Sequence, residues 1–263
     1  LQGSWVAMPT PFTEDNKIDF QGFETLINRQ IKYGTSQLFI LGSAGEVTLL
    51  TQEEKKAIVK EVISMTKGKI PVFFSAASFT TEMSVEFAQY CEKEGADGVI
   101  FTVPPYVLIN QHAAHTHLDT CMSAVDIPCG IYNNPSRLGV QVMPETIKKL
   151  SDAHPNFVVD KEAMPSVEQL VQVQRLCEGK VKIMCCDYPH YSIVIPTLGV
   201  GGTGTANIGG NIIPEEAALY SRPWTSMEII EECRSEYFKW FPLLQELYTC
   251  LLYTSPSPRD RSL

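Results

Sequence analysis

No stretch of this chain approaches the roughly 20 consecutive apolar residues that a membrane-spanning helix needs. The opening Leu1-Gln2-Gly3-Ser4 lacks the charged-then-apolar pattern of a secretory leader. No initiator methionine is present, so the chain is expected to begin upstream of Leu1. Basic residues are in the minority, 21 Lys and Arg against 30 Asp and Glu, which leaves a net charge of −9. An acidic surface suits neither nucleic acid nor an anionic membrane, so neither is expected as a partner. Cys-x-x-Cys pairs are missing although there are eight cysteines: Cys91, Cys121, Cys129, Cys177, Cys185, Cys186, Cys233 and Cys250. Most sit in apolar surroundings. They read as reduced core thiols in a cytoplasmic protein rather than a disulfide frame. No Gly-x-Gly-x-x-Gly follows the first apolar run, which removes the signature of a dinucleotide-binding fold.

What the chain has in quantity is alternation. Apolar runs at Trp5–Pro9, Gln37–Leu41, Ile70–Phe74, Gly98–Phe101, Pro128–Tyr132, Phe157–Lys161, Val181–Cys185 and Gly199–Ile208 predict eight strands. Between them lie stretches with helical spacing, such as Phe20, Phe23, Leu26, Ile27 and Ile31. Further predicted helices are 81–94, 111–122, 144–150, 166–176, 192–198 and 214–220. Thr51-Gln52-Glu53-Glu54 has the form of a capping box opening another. Continuous apolar strands separated by helices imply a parallel sheet covered on its faces. Eight such units favour an α/β fold closed as a (β/α)8 barrel with C-terminal helices. The expected organisation is a barrel over residues 1–221 and the start of a C-terminal helical extension over 222–248. Residues 249–263, with two prolines, no periodicity and a sudden cluster of charge, are expected to be a non-native tail.

In such a barrel, chemistry belongs at the C-terminal strand ends. The sixth strand closes on Lys161. Such a lysine either points to water or is buried. If buried, it loses part of its preference for the ammonium form and can attack a ketone. The second strand ends in Gly42-Ser43-Ala44-Gly45-Glu46, either a plain turn or a loop whose N–H groups and Ser43 hydroxyl hold a carboxylate. The fifth ends in Tyr132-Asn133-Asn134-Pro135-Ser136-Arg137. Tyr132 is either a core phenol or a proton shuttle beside the amine. Arg137 is either a surface cation or a fork for a second carboxylate. Convergence of all these on one mouth favours the chemical readings.

Together, these residues resemble the pyruvate-dependent Schiff-base lyase family that contains dihydrodipicolinate synthase and N-acetylneuraminate lyase. The matching features are Pro9-Thr10-Pro11-Phe12, the loop from Gly42 to Glu46 with Leu50 and Glu53-Glu54 behind it, Pro104-Pro105-Tyr106, Pro135 with Arg137, Lys161, and Gly201 to Pro214. They span residues 3 to about 247. The resemblance implies a homotetramer built as a dimer of dimers, with further C-terminal helices than this chain carries. It implies that Lys161 forms an imine with pyruvate and that Tyr132 shuttles protons. Ser43 and the backbone at Ala44 would hold the pyruvate carboxylate, with Ala206 lining the same pocket and Arg137 taking the carboxylate of an aldehyde partner. No metal and no organic cofactor are implied. The activity implied is condensation of pyruvate with aspartate semialdehyde. The other readings are a 2-keto-3-deoxy sugar acid aldolase or dehydratase, an N-acetylneuraminate lyase-like enzyme, or an inactive barrel that binds small carboxylates.

Two positions depart from the synthase pattern. The loop has Ser43 and Ala44 where the pattern has two threonines, and Val107 stands where it has a second tyrosine. The resemblance therefore implies a proton relay reduced to Tyr132 and Ser43. His112, His115 and His117 share one helical stretch without completing a ligand set, and read as helix surface. Asp187, after Cys185-Cys186, is expected either to meet the second substrate or to cap the next helix. The glycines of Gly199–Gly204 lack the Gly-Lys-Ser/Thr ending of a phosphate loop and are expected to allow close approach of a ligand.

Overall fold

Each predicted strand is apolar on both faces because each is buried on both faces. In the computed structural model, which describes residues 1–187 and 191–250 (only the backbone of Tyr191 and of 248–250), the strands are β1 Gly3–Ala7, β2 Gln37–Ile40, β3 Val72–Ser75, β4 Gly98–Phe101, β5 Cys129–Asn133, β6 Phe157–Glu162, β7 Lys182–Cys186 and β8 Gly204–Asn207. They pair in parallel in sequence order, and β8 returns to β1 to close the barrel. The helices between them are α1 Phe20–Lys32, α2 Gln52–Thr66, α3 Thr81–Glu94, α4 Gln111–Ser123, α5 Pro135–Leu138, α6 Pro144–Ala153, α7 Val167–Cys177, α8 Val194–Gly199 and α9 Pro214–Tyr220. A longer helix, α10 Met227–Cys250, follows and packs Tyr237 edge-on against Tyr220, centroids 5.9 Å apart. The predicted tail falls outside the described residues except at 249–250, which continue α10.

The helix starts are written locally. The Thr51 hydroxyl accepts from Glu54 N at 3.2 Å, and the Glu54 carboxylate accepts from Thr51 N at 2.9 Å, the reciprocal capping box that the spacing predicts. Asp19, Thr80, Asn110 and Ser166 cap α1, α3, α4 and α7 through their side chains.

The core has two layers. Between strands and helices lie residues such as Leu38, Ile40, Phe74, Val99, Phe101, Ile131 and Phe157. Inside the barrel lie Trp5, Phe39, Phe73, Ile100, Tyr132, Val159, Met184 and Ala206. Trp5 anchors this inner layer, its ring 5.4 Å from Phe39 and 5.3 Å from Phe73.

One irregularity decides where the chemistry points. Side chains alternate along a strand, so Phe157, Val159 and Lys161 should share a face. Phe157 faces the helices, whereas Val159 faces the barrel interior. The register explains the reversal: Cys129 pairs with Phe157 but Gly130 pairs with Val159, so Val158 is an extra residue. This β-bulge inverts the alternation and turns Lys161 inward. Gly130 makes room for it. A Cβ there would lie 2.5 Å from the Val159 carbonyl oxygen, which is backbone and cannot rotate away. Gly130→Ala is therefore expected to cost about 1–3 kcal/mol in urea unfolding and to reduce turnover as well, because it pushes on the bulge that aims Lys161. A variant with unchanged midpoint and activity would refute the argument.

The β8 region corrects the sequence reading. Gly199 ends α8, Gly201 turns the chain at φ +94°, and the strand begins only at Gly204. A Cβ on Gly204 would stand 2.1 Å from the Gly3 carbonyl oxygen. That glycine lets β8 close on β1, rather than admitting a ligand.

Candidate active site

The C-terminal ends of β2 to β5 open into a cavity of about 380 Å³. Its wall includes Ser43, Ser75, Thr102, Phe39, Tyr132 and Arg137. Two residues in left-handed conformation, Leu41 (φ 60°) and Glu46 (φ 55°), bracket the loop that carries Ser43. Such strain persists only where surrounding packing enforces it. Leu41 is fully buried, and the Thr10 hydroxyl donates to the Gly45 carbonyl at 2.6 Å, which ties the loop to the segment after β1.

Lys161 lies behind this wall. It is 3% exposed, and its Nζ stands 3.9 Å from the Tyr132 ring centroid and 4.6 Å from that of Phe39. Among the described residues, no carboxylate comes within ion-pair distance of it. Burial pulls its pKa below the ordinary lysine value. Cys186 and Asp187 oppose this, and Arg137 reinforces it. Tyr132 is its register partner across β5 and β6. Burial holds Tyr132 as the neutral phenol far up the pH scale, and Cys186 acts in the same direction. The Asn134 amide donates to the Tyr132 hydroxyl at 2.6 Å, and Cys186 Sγ lies 3.9 Å from the same oxygen.

The structure thus brings Ser43, Tyr132, Arg137 and Lys161 to one end of the barrel. Ser43 is exposed on the first turn after β2, and Arg137 stands on α5. Ala44 and Ala206 sit differently. Both pack with the inner layer beneath the cavity, Ala206 at 1% exposure between Trp5 and Cys186 in register. Neither brings a side-chain polar group.

Other residues answer to structure. Asp187 has a structural task on the far side of β8. Its Oδ2 accepts from Ile208 N at 2.6 Å and Gly209 N at 3.2 Å, holding the turn after β8. His117 is not surface: it is buried, its Nε2 donating to the Thr102 carbonyl at 3.0 Å and its Nδ1 accepting from the Thr81 hydroxyl at 2.9 Å. Burial lowers its pKa, so it serves as a neutral tie between helices and strand. Among the described residues, no cluster of three His, Cys, Asp or Glu is disposed to hold a metal, and no helix is long and apolar enough to cross a membrane. Sequence reasoning missed Phe39 and Asn134. Phe39 carries no chemical signal inside an apolar strand, whereas Asn134, next to a proline at a strand end, was readable only as a turn residue.

Comparison with known proteins agrees with this geometry. The 4-hydroxy-tetrahydrodipicolinate synthase of Clostridium perfringens is 31% identical over 258 residues, covering 98% of this chain and 86% of that protein. The structure of the synthase of that name from Methylacidiphilum fumariolicum SolV superposes with a TM-score of 0.91 at 27% identity, covering all of this chain and 85% of the other. A structure described as a monomeric dihydrodipicolinate synthase variant superposes with a TM-score of 0.88 at 26% identity, covering 95% of this chain and 83% of that one. The family model described as the dihydrodipicolinate synthetase family matches residues 1–236. A lysine turned into a closed eight-stranded barrel beside a buried tyrosine is thus found in a chain whose sequence and backbone both match these synthases, and the protein belongs to the dihydrodipicolinate synthetase family.

Proposed function

We propose that the chain is a Schiff-base-forming 4-hydroxy-tetrahydrodipicolinate synthase, which joins pyruvate to aspartate semialdehyde. The observation that carries this reading is the Lys161 amine, buried with no ion pair among the described residues and set against the Tyr132 ring. A neutral amine so placed adds to the C2 carbonyl of pyruvate. Tyr132, held as a phenol, gives its proton to the carbinolamine oxygen, and water leaves to form the iminium. The phenolate then takes a proton from the C3 methyl group, and the iminium accepts the electron pair as an enamine. The enamine carbon attacks the aldehyde, and hydrolysis of the resulting imine frees Lys161. The iminium is itself the electron sink, so the chemistry requires no metal or organic cofactor.

Ser43 and the backbone N–H groups at Ala44 are suited to the pyruvate carboxylate, with Ala206 lining the floor. Arg137, at the cavity wall, offers the fork for the carboxylate of the aldehyde. Arg137→Leu is expected to raise KM for aspartate semialdehyde about tenfold or more while leaving KM for pyruvate nearly unchanged; a parallel rise in both would remove that role. The exposed Tyr106, Val107 and Leu108 supply an apolar loop for contact between copies and support a tetramer, which sedimentation would read directly. Free buried thiols suit the reducing cytoplasm.

Borohydride added with pyruvate tests the chemistry. A single adduct on the peptide containing Lys161 is expected, absent in Lys161→Met; no adduct, or one that survives the substitution, overturns the reading. The partner is tested by assaying aspartate semialdehyde against 2-keto-3-deoxy acids. Turnover of the latter alone would reassign the enzyme as an aldolase, the outcome that Ala44 and Val107 would then explain.

A further inference from the structure

Asn134 sits where a helix cap belongs. It precedes Pro135, the first residue of α5, and its carbonyl accepts from the N–H groups of Arg137 at 3.1 Å and Leu138 at 3.0 Å. An asparagine there ordinarily turns its side chain onto the helix N–H groups. This one does not cap the helix. Its side chain is fully buried and turned back to β5, where Nδ2 donates to the Tyr132 hydroxyl oxygen at 2.6 Å. Its Oδ1 accepts from the Ser136 hydroxyl, also at 2.6 Å. The amide is thereby held at both ends, its nitrogen toward Tyr132 and its oxygen toward Ser136.

This arrangement has a consequence for the phenol. A donor on the Tyr132 oxygen occupies a lone pair and fixes the ring rotation. The phenolic proton is then left to point away from Asn134, and Lys161 Nζ stands 3.9 Å from the centroid of the same ring. The same donor becomes a stronger, charge-assisted hydrogen bond once the proton has left. An amide does not readily pass protons itself, so its role is orientation and charge stabilisation.

We propose that Asn134, anchored by Ser136, is the positioning residue that aims the Tyr132 proton and stabilises the phenolate formed during imine and enamine chemistry. The proposal rests on the Schiff-base reading of Lys161 and Tyr132, and the test separates the two. Exchange of the pyruvate methyl protons in D2O, followed by NMR, reads the proton transfer without any aldehyde. Borohydride trapping reads imine formation at equilibrium. Failure of the wild-type enzyme to trap pyruvate would sink the Schiff-base reading and not bear on Asn134 in particular.

Given wild-type trapping, Asn134→Ala should trap pyruvate to the same extent but exchange the methyl protons about 10- to 100-fold more slowly, the range expected when a hydrogen bond to a charged group is lost. The alkaline limb of its exchange-rate profile should move to higher pH, because the phenolate has lost its donor; a merely structural cavity would not move that limb. Asn134→Asp keeps the shape but offers no N–H, and should be slowed at least as much. Ser136→Ala, at an exposed position, should slow exchange by about threefold through the loosened amide and keeps the test open should either Asn134 variant fail to fold. Wild-type exchange in Asn134→Ala, or in Asn134→Asp while Asn134→Ala is slow, would overturn the proposal, since the first leaves Asn134 no part and the second leaves it only its volume.

Discussion

Lys161→Met is expected to reduce turnover by roughly 10⁴-fold or more, the scale seen when a covalent nucleophile is removed, and at the same time to make the protein harder to unfold. The two effects have one cause. Methionine fills nearly the same volume without an amine. Lys161 is 3% exposed, faces the rings of Tyr132 and Phe39, and burial depresses its pKa. The sign follows. Between the folded and unfolded midpoints of a group with a lowered folded pKa, the unfolded chain binds more protons, so stability rises with pH through that interval. At neutral pH the buried amine therefore costs stability, only partly offset by the ring faces. Its removal should return about 0.5–2 kcal/mol in urea unfolding at pH 7, the usual scale when a functional but destabilising group is replaced. A variant that retains one-hundredth of the wild-type rate, or one that unfolds more easily than wild type, would contradict this account.

That lysine also marks how far the sequence could be read. The barrel was legible because eight apolar runs alternated with helical spacing, and period and length together left few other folds. The strand ends then named Ser43, Tyr132, Arg137 and Lys161. Which way Lys161 points was not legible. In a strand buried on both faces, Val158 and Val159 look alike, and nothing in composition says that one of them is the extra residue of a bulge. Gly204 by itself says only that something comes close; the structure shows that it is the Gly3 backbone. The hold of Asp187 on Ile208 N and Gly209 N, some twenty residues on and after β8, is not legible either, because spacing along the chain does not encode it. Asn134 by residue type suits a turn, and its contact with the phenol depends on a side-chain direction that spacing does not encode.

The opposite face of β6 carries the second large expectation. The bulge that turns Lys161 inward turns Asp160 and Glu162 outward, beneath the helices, where both are almost fully buried. Glu162 is well supplied: Oε2 accepts from Asn133 Nδ2 and Gln169 Nε2, each at 3.1 Å, and Oε1 accepts from Met164 N at 2.9 Å. Burial still pushes its pKa up to about 7. Neither oxygen of Asp160 meets a donor at bonding geometry among the described residues. Burial, then the charge of Glu162, raises its pKa well above the ordinary carboxylate range. For an acid whose folded pKa is raised, the native state keeps a proton that the unfolded chain has lost. Stability is then full below the ordinary carboxylate range and falls as pH climbs, by up to about 1.4 kcal/mol per pH unit for each group. For Glu162 the fall ends near pH 7. Asp160→Asn has the same shape and no proton to lose. Its urea midpoint should lie closest to wild type near pH 4, in the ordinary carboxylate range, and rise above it between pH 4 and pH 8, by up to about 1.4 kcal/mol per pH unit. A gap that stays constant across that range would show that Asp160 carries no proton into the fold, and a gap that narrows would show that its charge is welcome there.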